Sequence, residues 1–371
     1  MNKRPYFERD NVHRLLGYSY GEQPDTVDII KLNTNENPYP PGPAVHRALS
    51  GFDITDLRRY PAATAAPLRK ALAQLHGVDP AQIVVTHAGD EALRLAMTTF
   101  VTPGHAFGMT DPSYSLYPVL AAIQDARVVS IPHPEDWSLP DDLGSRLNAA
   151  GAELTCIVNP HAPSGKLIPV AELAELAATL QGVLLIDEAY VDFVDPALHY
   201  SAVPLLERCD NVLLMRTFSK GYALAGLRLG YLMGSPSLID PIMSKTRDSY
   251  NIDAISQRLG LAAVTDQAYA RSTWDRVRSE RERQTSALRA LGFEPVESQA
   301  NFLLARVPAA ADAETLYRRL KTDNILVRYF DHPRLEHSLR ITIGTPEENA
   351  RLNAALAHHL STDARSLTDA H

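Results

Sequence analysis

Through the middle of the chain, short apolar runs alternate with segments whose apolar residues recur every three or four positions. Ile83–Thr86 (IVVT) reads as a strand. In the GDEALRLAMTTF that follows, Leu93, Ala96, Met97 and Phe100 fall at helical spacing. Further strands are predicted at Val128–Ile131, Leu154–Val158, Val183–Ile186 and Val212–Met215, separated by helical patterns such as VAELAELAATL. Strands of continuous apolar character alternating with helices predict an α/β fold, a largely parallel sheet covered on both faces.

The texture changes after about residue 270. RSTWDRVRSERERQTSALRALG is a long charged helical pattern with Gly292 as its terminator. Strand-like ANFLLARV, a helix around AETLYRRLKTD, strand-like ILVRYF and LRITIG follow. This predicts a large domain over 36–270, a smaller α+β domain over 271–371, and an arm, 1–35, joining the small domain. The polar end STDARSLTDAH is expected to fray. No internal repeat or low-complexity tract stands out.

A chain of 371 residues is long enough for two cores. Lys+Arg of 36 against Asp+Glu of 44 gives a net charge of -8, which offers no electrostatic footprint for nucleic acid. The two cysteines, Cys156 and Cys209, lack metal-spaced partners, so neither a disulfide framework nor a cysteine zinc site is expected. The N-terminus lacks a signal-peptide core, and no uncharged apolar run would span a bilayer. The cytoplasm is the expected compartment.

The chemistry concentrates in TFSKGYALAGLRLGY, Thr217–Tyr231. A lysine held near a sheet edge and partly desolvated keeps its amine available for a Schiff base, and Lys220 follows a predicted strand. Ser219 and Arg228 suit a phosphate dianion, the guanidinium supplying a rigid pair of donors. Gly221, Gly226 and Gly230 are expected to permit close backbone approach. Asp187, in LLIDEAYVDF, ends an apolar strand, where a carboxylate is costly without a positive partner. A protonated pyridine nitrogen is such a partner, and keeping it protonated makes the ring an electron sink. Tyr190 is placed to reach that ring's phenolic oxygen. In THAGDEAL a strand breaks at Ala88–Gly89 and a helix begins near Asp90. Its free N–H groups would bind phosphate through Gly89 and Asp90, with the Asp90 side chain as a cap. Tyr114, in DPSYSLY, is a candidate to stack on the ring. No His/Asp cluster points to a metal.

KLNTNENPYPP, RYP, GDE, DPSY, NPHAPSG, DEAY, SKGYALAGLR, ANFLL and LRITIG occur in the order seen in fold-type-I aminotransferases. From about residue 15 to residue 350 the chain resembles the histidinol-phosphate aminotransferases within that group. KLNTNENPYPP and VRYFDHPRLEHSLRITIGTPEEN carry the narrower likeness. The resemblance implies a fold-type-I pyridoxal-phosphate (PLP) transferase: a mostly parallel seven-stranded sheet and a smaller α+β domain. It implies that Lys220 is the cofactor lysine and base, that Asp187 pairs with the pyridine nitrogen and Tyr190 with the phenolic oxygen, and that Tyr114 stacks on the ring. Gly89, Asp90, Ser219 and Arg228 would hold the phosphate, with Tyr60 reaching across from a second subunit of a homodimer. Arg340 would clamp the anionic end of the substrate, with Arg328 and Tyr18 nearby. The implied substrates are glutamate or 2-oxoglutarate and an amino-alcohol phosphate, L-histidinol phosphate, with its keto counterpart. One position departs from the pattern. Ala162 stands before Pro163-Ser164-Gly165, where most relatives place an asparagine that donates to the phenolic oxygen. Asn159 is the candidate replacement and His161 the alternative.

Three other readings share parts of this set. An aromatic amino-acid aminotransferase would differ only in its pocket. A threonine-phosphate-type decarboxylase would keep Lys220 and Asp187 but release carbon dioxide. The same fold also serves as the sensing module of transcription regulators, but residues 1–30 are too short and irregular for the helix-turn-helix this requires. A binding protein without chemistry would leave the joint presence of Lys220, Asp187 and Arg228 unexplained.

Overall fold

The computed structural model describes residues 6–18, 21–23 and 28–368, with side chains described as far as residue 361. Seven strands form the central sheet: β1 (Ile83–Thr86), β2 (Ala106–Asp111), β3 (Arg127–Pro132), β4 (Ala152–Val158), β5 (Val183–Asp187), β6 (Val212–Thr217) and β7 (Gly230–Gly234). Their spatial order is β1-β7-β6-β5-β4-β2-β3. Only β7 runs against its neighbours, antiparallel to β1 and β6. The other pairs are parallel. The α/β class read from the apolar pattern is therefore observed.

Alternation along the strands divides the interior in two. Leu185, Leu213 and Met215 enter the core on one face, and Leu184, Ile186, Val212 and Leu214 enter the core on the other. Because both faces are covered, these strands read as unbroken apolar runs. Two strands escaped the sequence reading, β2 (AFGMTD) and β7 (GYLMG), because glycines interrupt their apolar character. The glycines are there for close packing. A Cβ on Gly108 would fall 2.6 Å from Leu147 Cδ2, and one on Gly230 would fall 2.8 Å from the Ala88 carbonyl carbon.

Helix α1 (Ala88–Phe100) follows β1 and α2 (Leu116–Ile123) follows β2. The long α3 (Gln267–Ala290) leads into a four-stranded antiparallel sheet made of β8 (Glu294–Pro295), β9 (Phe302–Arg306), β10 (Arg328–Tyr329) and β11 (Ser338–Thr342), in the order β10-β11-β9-β8. Gly292, just past α3, adopts the left-handed φ of +82° that suits a helix stop. The arm divides. Ile30–Lys31 pairs in parallel with Ile325–Leu326, whereas Arg9 and Asn11 donate to the Ile123 and Ala122 carbonyls at the end of α2, on the large sheet's side. The polar C-terminal stretch expected to fray continues instead as helix α4 (Pro346–Thr368). Residues 369–371 lie outside the described residues.

Candidate active site

The site lies beyond the C-terminal ends of β4, β5 and β6, where an open parallel sheet leaves a crevice for ligands. Asp187 is the last residue of β5 and is buried. Its Oδ2 accepts from the Tyr117 hydroxyl at 2.8 Å and its Oδ1 from the Ala189 N–H at 3.1 Å. Burial raises its pKa to about 7, against the pull of those two donors. No cation pairs with it among the described residues. Tyr190 accepts at its hydroxyl from Asn35 Nδ2 at 3.0 Å, and burial raises its pKa as well.

Lys220 follows β6 in the loop after Ser219. Its Nζ donates to the Thr34 carbonyl at 2.7 Å and is in no ion pair among the described residues. Burial, then the Arg340 charge, lowers its pKa to about 8, so a fraction of the amine is free near neutral pH. Thr34 and Asn35 are consecutive, so one turn of the N-terminal arm positions both Lys220 and Tyr190. Asn35 is itself fixed by Thr342 and Asn301, its N–H donating to Thr342 Oγ1 at 3.0 Å and its carbonyl accepting from Asn301 Nδ2 at 2.9 Å.

A second group of donors gathers at the start of α1. The helix begins at Ala88 rather than near Asp90, with Ala88 at φ +64°. A Cβ on Gly89 would meet the Met215 side chain at 3.0 Å. Asp90 does not cap the helix. Its Oδ2 pairs with Arg228 Nη2 at 3.0 Å, and Glu91 receives the His87 N–H. Arg228 adopts φ +55° and also donates to Ser219 Oγ at 3.4 Å. Of the three loop glycines, Gly221 and Gly230 are tightly packed, but Gly226 has nothing within 4 Å of a Cβ, so close approach is not its role.

Tyr114 donates to Asp90 Oδ1 at 3.4 Å and makes edge contacts with Tyr117 at 5.5 Å and Tyr18 at 6.1 Å between ring centroids. Arg340 on β11 lies opposite Arg328 on β10. The half-buried Arg340 places its guanidinium 5.3 Å from the ring centroids of both Phe302 and Phe330. One of its Nη atoms donates to the Asn33 carbonyl at 3.0 Å, and its Nε is buried without a partner. Tyr60 stands apart: it is 81% exposed and stacked on Tyr250 at 4.6 Å.

Asn159 is not free to serve the cofactor. Its two amide hydrogens go to the Ile168 carbonyl at 3.0 Å and the Tyr200 hydroxyl at 2.8 Å, and its oxygen accepts from the Ile168 N–H at 2.7 Å. The alternative, His161, is buried with its ring nitrogens on Ser164 Oγ and the Pro112 carbonyl. In this structure both side chains offered for the position of Ala162 are hydrogen-bonded within the protein. The sequence reading also missed Tyr117 and Asn35. Tyr117 stands one helical turn beyond Tyr114, and that spacing was a usable signal. Asn35 adopts φ +56°, a conformation asparagine tolerates better than most residues, but nothing in the sequence placed it beside Tyr190. Among the described residues no group of His, Cys, Asp or Glu side chains is arranged to hold a metal ion.

An amine, a buried carboxylate, a phenol and a set of anion donors converge on one crevice, the equipment of amino-group transfer. The family model for class I and II aminotransferases matches residues 27–356, and the chain belongs to that family. Two relatives are histidinol-phosphate aminotransferases. One, from Trichormus variabilis, is 44% identical over 95% of this chain and 98% of the relative. The other, from Rippkaea orientalis, is 41% identical over 94% and 97%. Among solved structures, histidinol-phosphate aminotransferase from Sinorhizobium meliloti in complex with pyridoxal-5'-phosphate superposes with a TM-score of 0.84 at 26% identity, covering 91% of each chain. The resemblance read from the motifs is borne out.

Proposed function

We propose that the chain is a PLP-dependent aminotransferase that moves an amino group between glutamate and the keto phosphate related to L-histidinol phosphate, a step of histidine synthesis. The observation that carries this reading is that Lys220 rests un-ion-paired on the Thr34 carbonyl while the half-buried Arg340, whose charge reaches it, has a buried Nε without a partner and no anion among the described residues. A buried cation without a counter-charge is costly, and an anionic substrate end would relieve that cost.

The residues present fit pyridoxal phosphate. Asp187 is a buried carboxylate lacking a cation, as a pyridinium partner requires. Ser219, Arg228 and the N–H groups of Gly89 and Asp90 form an anion cradle at the start of α1. When bound, the cofactor supplies a carbonyl to carry the amino group and a ring to hold the electrons of the broken Cα–H bond. Asp187 would hold a proton on the ring nitrogen. Tyr190, steadied by Asn35, would donate to the phenolic oxygen, and Tyr114 would cover the ring face. Lys220 Nζ takes the proton from the substrate Cα and returns it, which a pKa of about 8 permits near neutral pH. Arg340 grips a carboxylate in one half-reaction and a phosphate in the other, since the guanidinium fork fits both. Arg328 and Tyr18 border that end.

The reading includes a cytoplasmic homodimer. The dimer is supported by the exposed Tyr60–Tyr250 stack and by Ile54, 75% exposed, and Leu57, 48% exposed, a few residues before Tyr60 in the chain, exposed apolar side chains that would suit a partner toward whose phosphate site Tyr60 reaches. No described helix is long and apolar enough to cross a membrane.

A half-reaction screen tests the substrate assignment. The cofactor-loaded protein is mixed separately with L-histidinol phosphate, phenylalanine, tyrosine and threonine phosphate while its spectrum is followed. Conversion by histidinol phosphate far ahead of the others is expected. Preferential conversion by an aromatic amino acid, or carbon dioxide release from threonine phosphate, would contradict it.

A further inference from the structure

A second cleft, of about 490 Å3, opens elsewhere in the molecule, and Asp192, Tyr200, Arg216, Trp274 and Ser201 help to line it. The strands that carry the active site also build this cleft. Successive side chains of a strand point to opposite faces. Asp187 ends β5 facing the active site, and Glu188 after it turns the other way. Near the end of β6, Arg216 reaches Glu188, its Nε donating to Oε2 at 2.7 Å. The Tyr200 hydroxyl donates to the other oxygen at 3.1 Å.

Glu188 thus uses one donor of Arg216. A guanidinium has five N–H donors, and the remaining ones have no protein partner among the described residues. The Asp192 carboxylate, on the same cleft, accepts no hydrogen bond and forms no ion pair among the described residues. Burial raises its pKa to about 6, with Arg216 opposing, so it is mostly ionised at neutral pH. A set of donors and an unused carboxylate therefore face one opening without meeting each other in an ion pair. The half-buried Trp274 ring and Tyr200 give the cleft aromatic walls, and Val191 and Val194 add apolar surface. His76, also lining it, is neutral: burial first, then Arg216, lowers its pKa to about 3.

We propose that this cleft binds an α-amino acid with an aromatic side chain, its carboxylate on Arg216, its ammonium on Asp192 and its ring against Trp274. Of the other charges on the cleft, Arg278 is paired with Asp275 and Arg271 adds a further cation. An anion alone would leave the Asp192 carboxylate without a ligand counter-charge, and a cation alone would leave the Arg216 donors unmet, so the zwitterion is the species that engages both. The position ties the cleft to the catalytic lysine. Trp274 Nε1 donates to the Gly221 carbonyl at 2.7 Å, and a Cβ on Gly221 would fall 2.0 Å from Asp192 Oδ2. Gly221 directly follows Lys220. Binding itself does not rest on the proposed activity.

Calorimetric titration of borohydride-treated holoenzyme, which cannot exchange amino groups, tests the assignment with L-phenylalanine, 3-phenylpropanoate and 2-phenylethylamine. L-phenylalanine is expected to bind at least about tenfold more tightly than either analogue lacking one charge. Asp192→Asn should erase the advantage over 3-phenylpropanoate by weakening L-phenylalanine, with 3-phenylpropanoate bound at least as tightly as before because the like charge is gone. Ser201→Trp, on the exposed rim, should fill the cleft and abolish binding of all three, with amino-group transfer unchanged. No heat with L-phenylalanine, equal affinity for 3-phenylpropanoate, or binding that survives Ser201→Trp would each overturn the proposal. The ligand series and Ser201→Trp keep the test decisive even if Asp192→Asn fails to fold.

Discussion

The Tyr117 hydroxyl donates to Asp187 Oδ2 across 2.8 Å, and both side chains are buried. It is one of only two donors to that carboxylate among the described residues, the other being the Ala189 N–H. Burial has already brought Asp187 to about 7, so each donor matters to its charge. Tyr117→Phe removes a hydrogen bond to a charged group, an interaction worth about 1.5–3 kcal/mol. The Asp187 pKa should therefore rise further, by about 1–2 units. The titration midpoint of its carboxyl carbon-13 resonance in cofactor-free protein reads this directly. An unchanged midpoint would mean that the hydroxyl does not tune the carboxylate.

Lys220 gives cofactor-free protein a predictable pH dependence. Its folded pKa, about 8, lies below the ordinary lysine value of 10.5. Between those values the unfolded chain binds more protons than the folded one, so stability rises with pH across that window. The contribution is fully present above the unfolded pKa and is lost as pH falls through about 8. Its size is on the order of 3 kcal/mol. Lys220→Met should flatten this part of the melting-temperature profile between pH 8 and 10. A profile identical to that of the unaltered protein would show that the amine is not held in a desolvating site.

Arg340 is proposed to serve both half-reactions, so Arg340→Ala should depress both. Loss of a buried charge-assisted contact costs about 2 kcal/mol or more, at least about thirtyfold in kcat/KM. Single-turnover rates with glutamate and with histidinol phosphate check this separately. Full retention of glutamate use would move the carboxylate clamp to another residue, Arg328 being the nearest cation on the neighbouring strand.

Tyr60, exposed on its own subunit, is proposed to act on the partner's phosphate site. Tyr60→Phe should weaken cofactor binding by about tenfold or more. Mixed with inactive Lys220→Ala subunits, it should regain one intact site per hybrid dimer, because the partner then supplies Tyr60. Cofactor affinity restored to the unaltered value in the hybrid's one active site, read from activity at limiting pyridoxal phosphate, is the expected result. No recovery in a verified hybrid would place Tyr60 outside the site.

Much of this architecture was legible because burial on both faces leaves a plain trace. β4, β5 and β6 are continuous apolar runs, and Asp187 is conspicuous as the charge that ends one of them. β2 and β7 were hidden by Gly108 and Gly230, which are small because a neighbouring element packs against them. Side-chain partners were harder to read than elements. Asn159 looked free in the sequence, but its amide is committed to Ile168 and to Tyr200, a residue brought near only by the fold. Asn35 reaches Tyr190 across the boundary between the arm and the sheet, a contact that no local spacing encodes.

Lys220 is proposed to carry the cofactor. Borohydride reduction of holoenzyme followed by peptide mass spectrometry tests it most directly. One phosphopyridoxyl group, on Lys220, is expected, with a colourless, unlabelled Lys220→Ala variant. A label on another lysine, or a protein that takes up no pyridoxal phosphate, would contradict it.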